Sequence, residues 1–183
     1  MKRFVAAHLG LIIVVAASTA YGQTRPYNKN LEPLRPLIGK WTGEYTLGKD
    51  MGEMGGAGDT ISVMAIYKLT PNRHAVALSA AAKVGDEWVH FTDGLIVYDA
   101  AQKKITGVDS YADGGVFRYV IEPEGDKLIC RGHGSTGDGV LTEQTVICSD
   151  MKQDGFTGQF VHQKEGDKQI PDGKPYTLKR VKE

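Results

Sequence analysis

The sequence predicts an all-β domain: an antiparallel up-and-down β-barrel of about ten strands, with a short helical turn before the first strand. Three observations predict this fold. Apolar and polar residues alternate in successive segments, turn residues separate these segments, and no segment is long enough for a helix that connects parallel strands. Short connections favour a barrel over a sandwich, because closure removes the exposed edges of a sheet.

The amino end has the pattern of a secretory signal peptide, which we assign to residues 1–22. Lys2 and Arg3 precede an apolar run at 4–17, and small residues follow up to Gly22. The alternative is a membrane anchor that is retained, but the run is shorter than the roughly 20 residues of a spanning helix. We therefore expect an exported protein, periplasmic or extracellular, without stable membrane insertion once the signal is removed.

Charge is balanced along the chain, with 22 basic and 22 acidic residues. Removal of the signal peptide leaves 20 basic residues against 22 acidic ones. The densest basic cluster is Lys179, Arg180 and Lys182, which is too small for binding to nucleic acid or to an anionic membrane surface. The sequence argues against both partners and leaves the oligomeric state open.

Residues 23–30 are polar and irregular, and we expect them to form a flexible lead-in to a barrel domain at 31–183. Apolar residues at 31–38 follow helical spacing, but Pro33 and Pro36 limit this helix to one or two turns. Beyond this point the hydrophobic period changes to two, which is typical of strands with one buried face.

The predicted strands cover residues 37–47, 60–69, 75–83, 87–98, 104–111, 116–122, 127–133, 141–148, 155–163 and 175–181. Gly, Asp, Asn and Pro occupy the short breaks between them and supply the backbone conformations that hairpins need. One connection is long. Residues 48–59 are rich in glycine, and we predict a flexible loop that covers the barrel mouth.

A Gly-x-Trp motif, Gly39-Lys-Trp41, opens the first strand directly after the short helix. This motif resembles the opening of lipocalin-like (calycin) barrels. The resemblance implies that Trp41 packs across the barrel floor beside a basic residue of the last strand, here Arg180, so that Gly39, Trp41 and Arg180 have structural roles. Two sequence segments are also similar to those of small bacterial exported β-barrel domains of unknown function. They are LEPLRPLIGKWTGEY near the start of the domain and PDGKPYTLKR at its end.

More distantly, the opening resembles nitrobindin-type haem barrels, in which a histidine near the C-terminal strand ligates the iron. The last histidine of this chain is His162. His90 and His162 each fall within a predicted strand, so either is a candidate for an axial ligand or a polar anchor inside the barrel. The alternative is an exposed or internally hydrogen-bonded histidine. No two histidines have the spacing of a metal-ligand pair, so we predict no metal site.

The sequence contains no catalytic motif, and a role other than catalysis is favoured. Ser135 lies in a segment, Gly-His-Gly-Ser-Thr-Gly, that is reminiscent of a nucleophile elbow. However, the residue two positions before the serine is His133 instead of glycine, and the segment lies in a predicted hairpin and not at a strand-to-helix turn.

Two cysteines, Cys130 and Cys148, fall on consecutive strands of one predicted hairpin. An exported chain with two cysteines can form one disulfide, which here requires a hairpin centred near Gly139. Two small buried apolar residues are the equal alternative.

Large aromatic residues and small inward residues together favour a cavity that holds a small apolar ligand. Asp109 alternates with apolar neighbours and is expected inside, with Arg118 on the next strand as its partner, although an outward Asp109 is an equal alternative. The predicted ligand-binding residues are Trp41, Tyr45, Tyr67, His90, Asp109, Arg118 and His162. The alternative functions are a structural or interaction domain with an inert core and a haem-binding barrel.

Overall fold

Ten antiparallel strands close into a barrel, which confirms the predicted fold class. The computed structural model describes residues 26–182, so the predicted signal peptide lies outside the described residues. The strands are β1 (Gly39–Thr46), β2 (Thr60–Leu69), β3 (Ala75–Val84), β4 (Glu87–Asp99), β5 (Lys104–Tyr111), β6 (Val116–Glu124), β7 (Lys127–Ser135), β8 (Leu141–Ser149), β9 (Gly155–Glu165), β10 (Lys168–Ile170) and β11 (Tyr176–Arg180).

The strands pair in chain order from β1 to β9, and β11 pairs with both β9 and β1 to complete the ring. The short strand β10 adds a hairpin to β9 and was not predicted, because three residues are too few to show an alternating pattern. One edge of β9 therefore carries β11 along its first half and β10 along its second half.

A 3-10 helix at Lys29–Leu37 covers one end of the barrel, which we call the closed end. Its buried residues Leu31, Leu34 and Leu37 recur every third position, which matches the three residues per turn of this helix type. The helix starts two residues before the predicted one. Asn28 caps it and donates its backbone N–H to Arg73 O at 3.2 Å, so part of the predicted lead-in is fixed to the barrel.

Trp41 and Arg180 form the floor of the closed end. The Trp41 indole is fully buried and donates its Nε1 hydrogen to Leu37 O at 2.7 Å. The Arg180 guanidinium lies 4.1 Å from the centroid of the Trp41 ring, a cation–π arrangement. It also donates to Ile38 O at 2.7 Å and to Pro36 O at 2.9 Å, which ties the last strand to the end of the helix.

The opposite end carries the glycine-rich connection between β1 and β2, which was predicted to be flexible. In the structure this connection is a hydrogen-bonded loop that contains a 3-10 turn at Gly52–Met54. The backbones of Leu47 and Gly58 bond at 2.8 Å, and those of Met51 and Gly55 at 2.9 Å. Lys49 forms an ion pair with Glu165 at the end of β9, so the loop is joined to a strand that only β11 separates from β1 in the ring.

No described helix combines the length and the apolar character that a membrane span requires.

Gly39→Ala should destabilise the barrel, because Gly39 has φ +145° and the Arg180 guanidinium occupies the space of its missing side chain. The guanidinium cannot move away without losing its bonds to the end of the helix. We expect a loss of about 2 kcal/mol in the free energy of unfolding, measured with urea.

Gly48→Ala is the matched control, since nothing lies within 4 Å of its substituted methyl. Equal stability of the two variants would contradict the role given to the Gly39 and Arg180 contact.

Candidate functional site

Aromatic side chains, one acid and two thiols occupy many of the inward positions of the barrel. The strand registers place them: Asp109 is opposite Gly94 on β4 and Phe117 on β6, and Tyr119 is opposite Gly107. We call this group the interior site, and its residues are Tyr45, Tyr67, Asp109, Tyr111, Phe117, Tyr119, Cys130, Cys148, Phe160 and Tyr176.

Glycines beneath several of these side chains decide how the rings lie. A methyl group on Gly107 would overlap the Tyr119 ring, and one on Gly158 would overlap the Tyr176 ring. The Asp109 carboxyl lies in the same way over Gly94. A side chain that lies over a glycine of the next strand stays close to the barrel wall, so less of it extends towards the barrel axis.

Three inward tyrosines, Tyr67, Tyr111 and Tyr176, keep part of their surface accessible although they lie inside the barrel. Burial raises the pKa of each hydroxyl, so all three stay protonated at neutral pH. None of these hydroxyls bonds to another residue of the described chain, while every fully buried side-chain polar atom has a partner. They are therefore donors and acceptors available to a bound molecule.

Asp109 is the acidic residue of the interior site, and only 9% of its surface is exposed. Its Oδ1 accepts a hydrogen bond from Tyr119 Oη at 2.9 Å. Burial raises the pKa of Asp109 to about 6, and the Tyr119 hydrogen bond offsets only part of that rise. No described basic side chain contributes to this pKa, so the carboxylate has no charged partner within residues 26–182.

The expectation that Arg118 is that partner is wrong. The register places Phe117, not Arg118, opposite Asp109, while Arg118 is opposite Val108 and His133 on the outer face. Its side chain is exposed. Neighbouring residues of a strand face opposite sides, so a shift of one position moves a side chain from the interior to the solvent.

His90 and His162, the two histidine candidates, are also exposed. His90 follows the outward register of Ala81 and pairs with Asp93, Nε2 to Oδ2 at 3.0 Å. His162 lies where the register between β8 and β9 shifts, and its φ of +51° belongs to the left-handed region. These positions place both imidazoles outside the interior site.

A haem with a histidine ligand therefore does not fit the interior of the described chain. His74 and His133 are exposed as well, so none of the four described histidines faces inward. Within residues 26–182, no group of three or more His, Cys, Asp or Glu side chains could hold a metal ion. A groove of about 340 Å³ lies at the outer rim of the mouth and shares no residue with the interior site; it is lined by Val140, Leu141, Glu143, Lys164, Gly166 and Asp167.

The aromatic candidates occupy two levels. Trp41 lies at the floor, where it packs edge-on against Phe156 with ring centroids 4.9 Å apart. Tyr45 lies higher and packs edge-on against Phe160 at 5.4 Å and Tyr176 at 5.2 Å. Tyr67 faces the interior, where burial and, to a smaller extent, the charge of Asp109 raise the pKa of its hydroxyl. Tyr45 and Tyr67 therefore belong to the interior site, and Trp41 supports it from below.

Tyr111, Tyr119 and Tyr176 were not among the predicted site residues, although the sequence contains a signal for them. Tyr111 alternates with Asp109, and Tyr119 alternates with Phe117, so each shares a face with an inward residue. The hydrogen bond between Tyr119 and Asp109 depends on the register of β5 and β6, which the alternation alone does not give.

Cys130 and Cys148 are free thiols in this structure. Cys130 is opposite Val146 and Cys148 is opposite Leu128, which centres the hairpin on Asp138 and offsets the cysteines by two positions. Both face inward. Burial raises the pKa of both thiols, that of Cys148 to about 12.

Comparison with known proteins supports the fold and does not extend to a family. No family model matches the chain, and no curated protein matches it. Solved structures do match, 14 chains in all. One is the crystal structure of Rv2717c from M. tuberculosis, with a TM-score of 0.60, 11% sequence identity, and coverage of 86% of this chain and 100% of that chain. At this identity the likeness shows a shared barrel fold alone.

Asp109 should make the barrel more stable as the pH falls through 6. Because burial raises its pKa from 3.8 to about 6, the folded state binds the proton more tightly than the unfolded chain does. We expect a gain of about 1 kcal/mol in the free energy of unfolding between pH 7 and pH 5, measured with urea.

Asp109→Asn should remove this gain. Asp126→Asn, which changes an exposed acid in the turn between β6 and β7, should keep it. A wild-type protein that loses stability over the same pH interval, with the same slope as Asp109→Asn, would contradict the burial of an unpaired carboxyl.

The two inward thiols should react slowly with iodoacetamide in the reduced native protein. A raised pKa leaves little thiolate, which is the reactive form, and the barrel wall limits access. At pH 8 we expect labelling more than about tenfold slower than in the urea-unfolded chain, followed by mass spectrometry. Equal rates in the native and unfolded protein would show that the thiols are open to solvent.

Proposed function

We propose that this protein is an exported lipocalin-like barrel that binds a small, largely apolar ligand in the interior site. The main support for this proposal is that inward side chains lie over glycines of neighbouring strands. This arrangement keeps aromatic rings close to the barrel wall and leaves space near the axis for a ligand. The half-buried tyrosines, with hydroxyls that bond to no other described residue, add polar groups that can orient a ligand.

Two observations support the localisation and the fold family in this proposal. The basic, apolar and small-residue order of 1–22 is that of a signal peptide. The Gly-x-Trp motif, with Arg180 stacked over Trp41, fits the floor that the resemblance to calycin barrels implies.

An interaction domain is the second candidate, and one observation favours it. Leu95 and Val108 are paired neighbours on the outer face of β4 and β5, and each is about two-fifths exposed. Two such residues form a small apolar surface, which is common on monomeric proteins. The interior site is the more specific feature, and we rank ligand binding first.

Filling the interior should weaken binding of an uncharged apolar probe. Ala80 faces inward between Ala65 and Thr92, so Ala80→Leu places three more carbon atoms inside the barrel. We expect N-phenyl-1-naphthylamine to brighten with the wild type and to bind Ala80→Leu about tenfold more weakly or worse, in a fluorescence titration.

Ala77→Leu is the matched control, because Ala77 lies on the same strand but shares the outer face with Lys68 and Leu95. It should bind the probe as the wild type does. Binding that is unaffected by Ala80→Leu, or a wild type that does not brighten the probe, would argue against the interior as the binding site.

A further inference from the structure

The charge inside the barrel indicates which ligands it would accept, provided that the proposed function holds. We infer that the ligand of the interior site is an amine: an apolar molecule with one protonated amino group, which pairs with Asp109 while the apolar part lies among the aromatic rings. Three properties of the site favour an amine: its one-sided charge, the incomplete hydrogen bonding of the carboxyl and the aromatic rings around it.

Among residues 26–182, the titratable groups that interact electrostatically with Asp109 are all acids. They are Tyr67 from β2, Tyr111 from its own strand, Tyr119 from β6 and Cys130 from β7. Each of these groups is neutral when protonated, and none can carry a positive charge. The described residues of the interior site therefore supply one carboxylate and no basic side chain to balance it.

The bonding of the carboxyl is incomplete. Tyr119 donates one hydrogen bond to Oδ1, and no described residue donates to Oδ2. A buried carboxylate without a cationic partner is costly, and hydrogen bonds from neutral groups compensate for it only in part. An ammonium group donates up to three hydrogen bonds and also supplies the missing charge.

The rings around Asp109 are suited to a cation. Phe117 lies opposite Asp109, its ring stacks with that of Tyr119 at a centroid distance of 6.2 Å, and Tyr111 lies two positions along the same strand. Aromatic faces carry partial negative charge and attract ammonium groups within about 6 Å. Tyrosine hydroxyls can also accept hydrogen bonds from an amine.

Other headgroups satisfy the site less well. A ligand carboxylate would bring a second negative charge to Asp109, and like charges in a poorly solvated site repel strongly. A neutral alcohol can donate one hydrogen bond to Oδ2 but leaves the charge unbalanced. Of these headgroups, the amine alone both balances the charge of the Asp109 carboxylate and donates a hydrogen bond to it.

Three molecules with the same eight-carbon chain test this inference: n-octylamine, 1-octanol and octanoate, titrated into the full-length mature protein by calorimetry at pH 7.5. We expect the amine to bind about tenfold more tightly than the alcohol, or better, because a charge-assisted hydrogen bond replaces a neutral one. Octanoate should bind most weakly. Asp109→Asn should bind amine and alcohol equally, whereas Asp126→Asn should keep the preference.

A measurement on the wild type alone supplies a second test that needs no variant. The preference for octylamine over octanol should decrease between pH 7.5 and pH 5, because protonation of Asp109 removes its charge, and octanol binding should stay constant. Equal binding of amine and alcohol at pH 7.5, a preference that survives in Asp109→Asn, or a preference that is independent of pH would each overturn the amine inference. Octanol binding in those cases would still support the proposed binding of an apolar ligand, and a wild type that binds none of the three molecules would overturn both proposals.

Discussion

Side chains inside this barrel depend on glycines in the strands beside them. Tyr119 lies over Gly107, Tyr176 over Gly158 and Asp109 over Gly94, each in space that a methyl group would fill. Because every second residue of a strand faces inward, a larger residue at any of these glycines would push a ring or a carboxyl towards the axis. The glycines therefore determine both how much of the barrel is filled and where its polar groups lie.

The interior combines an apolar floor with a region that holds tyrosines and a carboxyl. Near the floor, Trp41 and the leucines of the 3-10 helix form a closely packed core, in which the indole N–H of Trp41 is hydrogen-bonded. Nearer the mouth, the protein holds a carboxyl that burial disfavours and hydroxyls that make no hydrogen bond to other described residues. Packing at the floor supplies the stability that lets the upper half keep these groups in place, as binding sites commonly require.

Alternation predicted the strands well because each of the ten barrel strands is long enough to show period two, as β2 and β5 do at their full predicted lengths. The alternation does not give the register between neighbouring strands, which depends on the geometry of the turns. The wrong partner for Asp109 arose in this way, since Arg118 is one residue from the inward position. The same limit applies to Cys130 and Cys148, whose hairpin centre differs by one residue from the one a direct pairing needs.

The ion pair between Lys49 and Glu165 links the loop after β1 to the end of β9, and only β11 separates β9 from β1 in the ring. Both side chains are partly exposed, so the attraction is modest and is screened by dissolved ions. The backbone hydrogen bonds within the loop do not depend on this ion pair. Dissolved salt therefore loosens the attachment of the loop to β9 and leaves the fold of the loop itself intact.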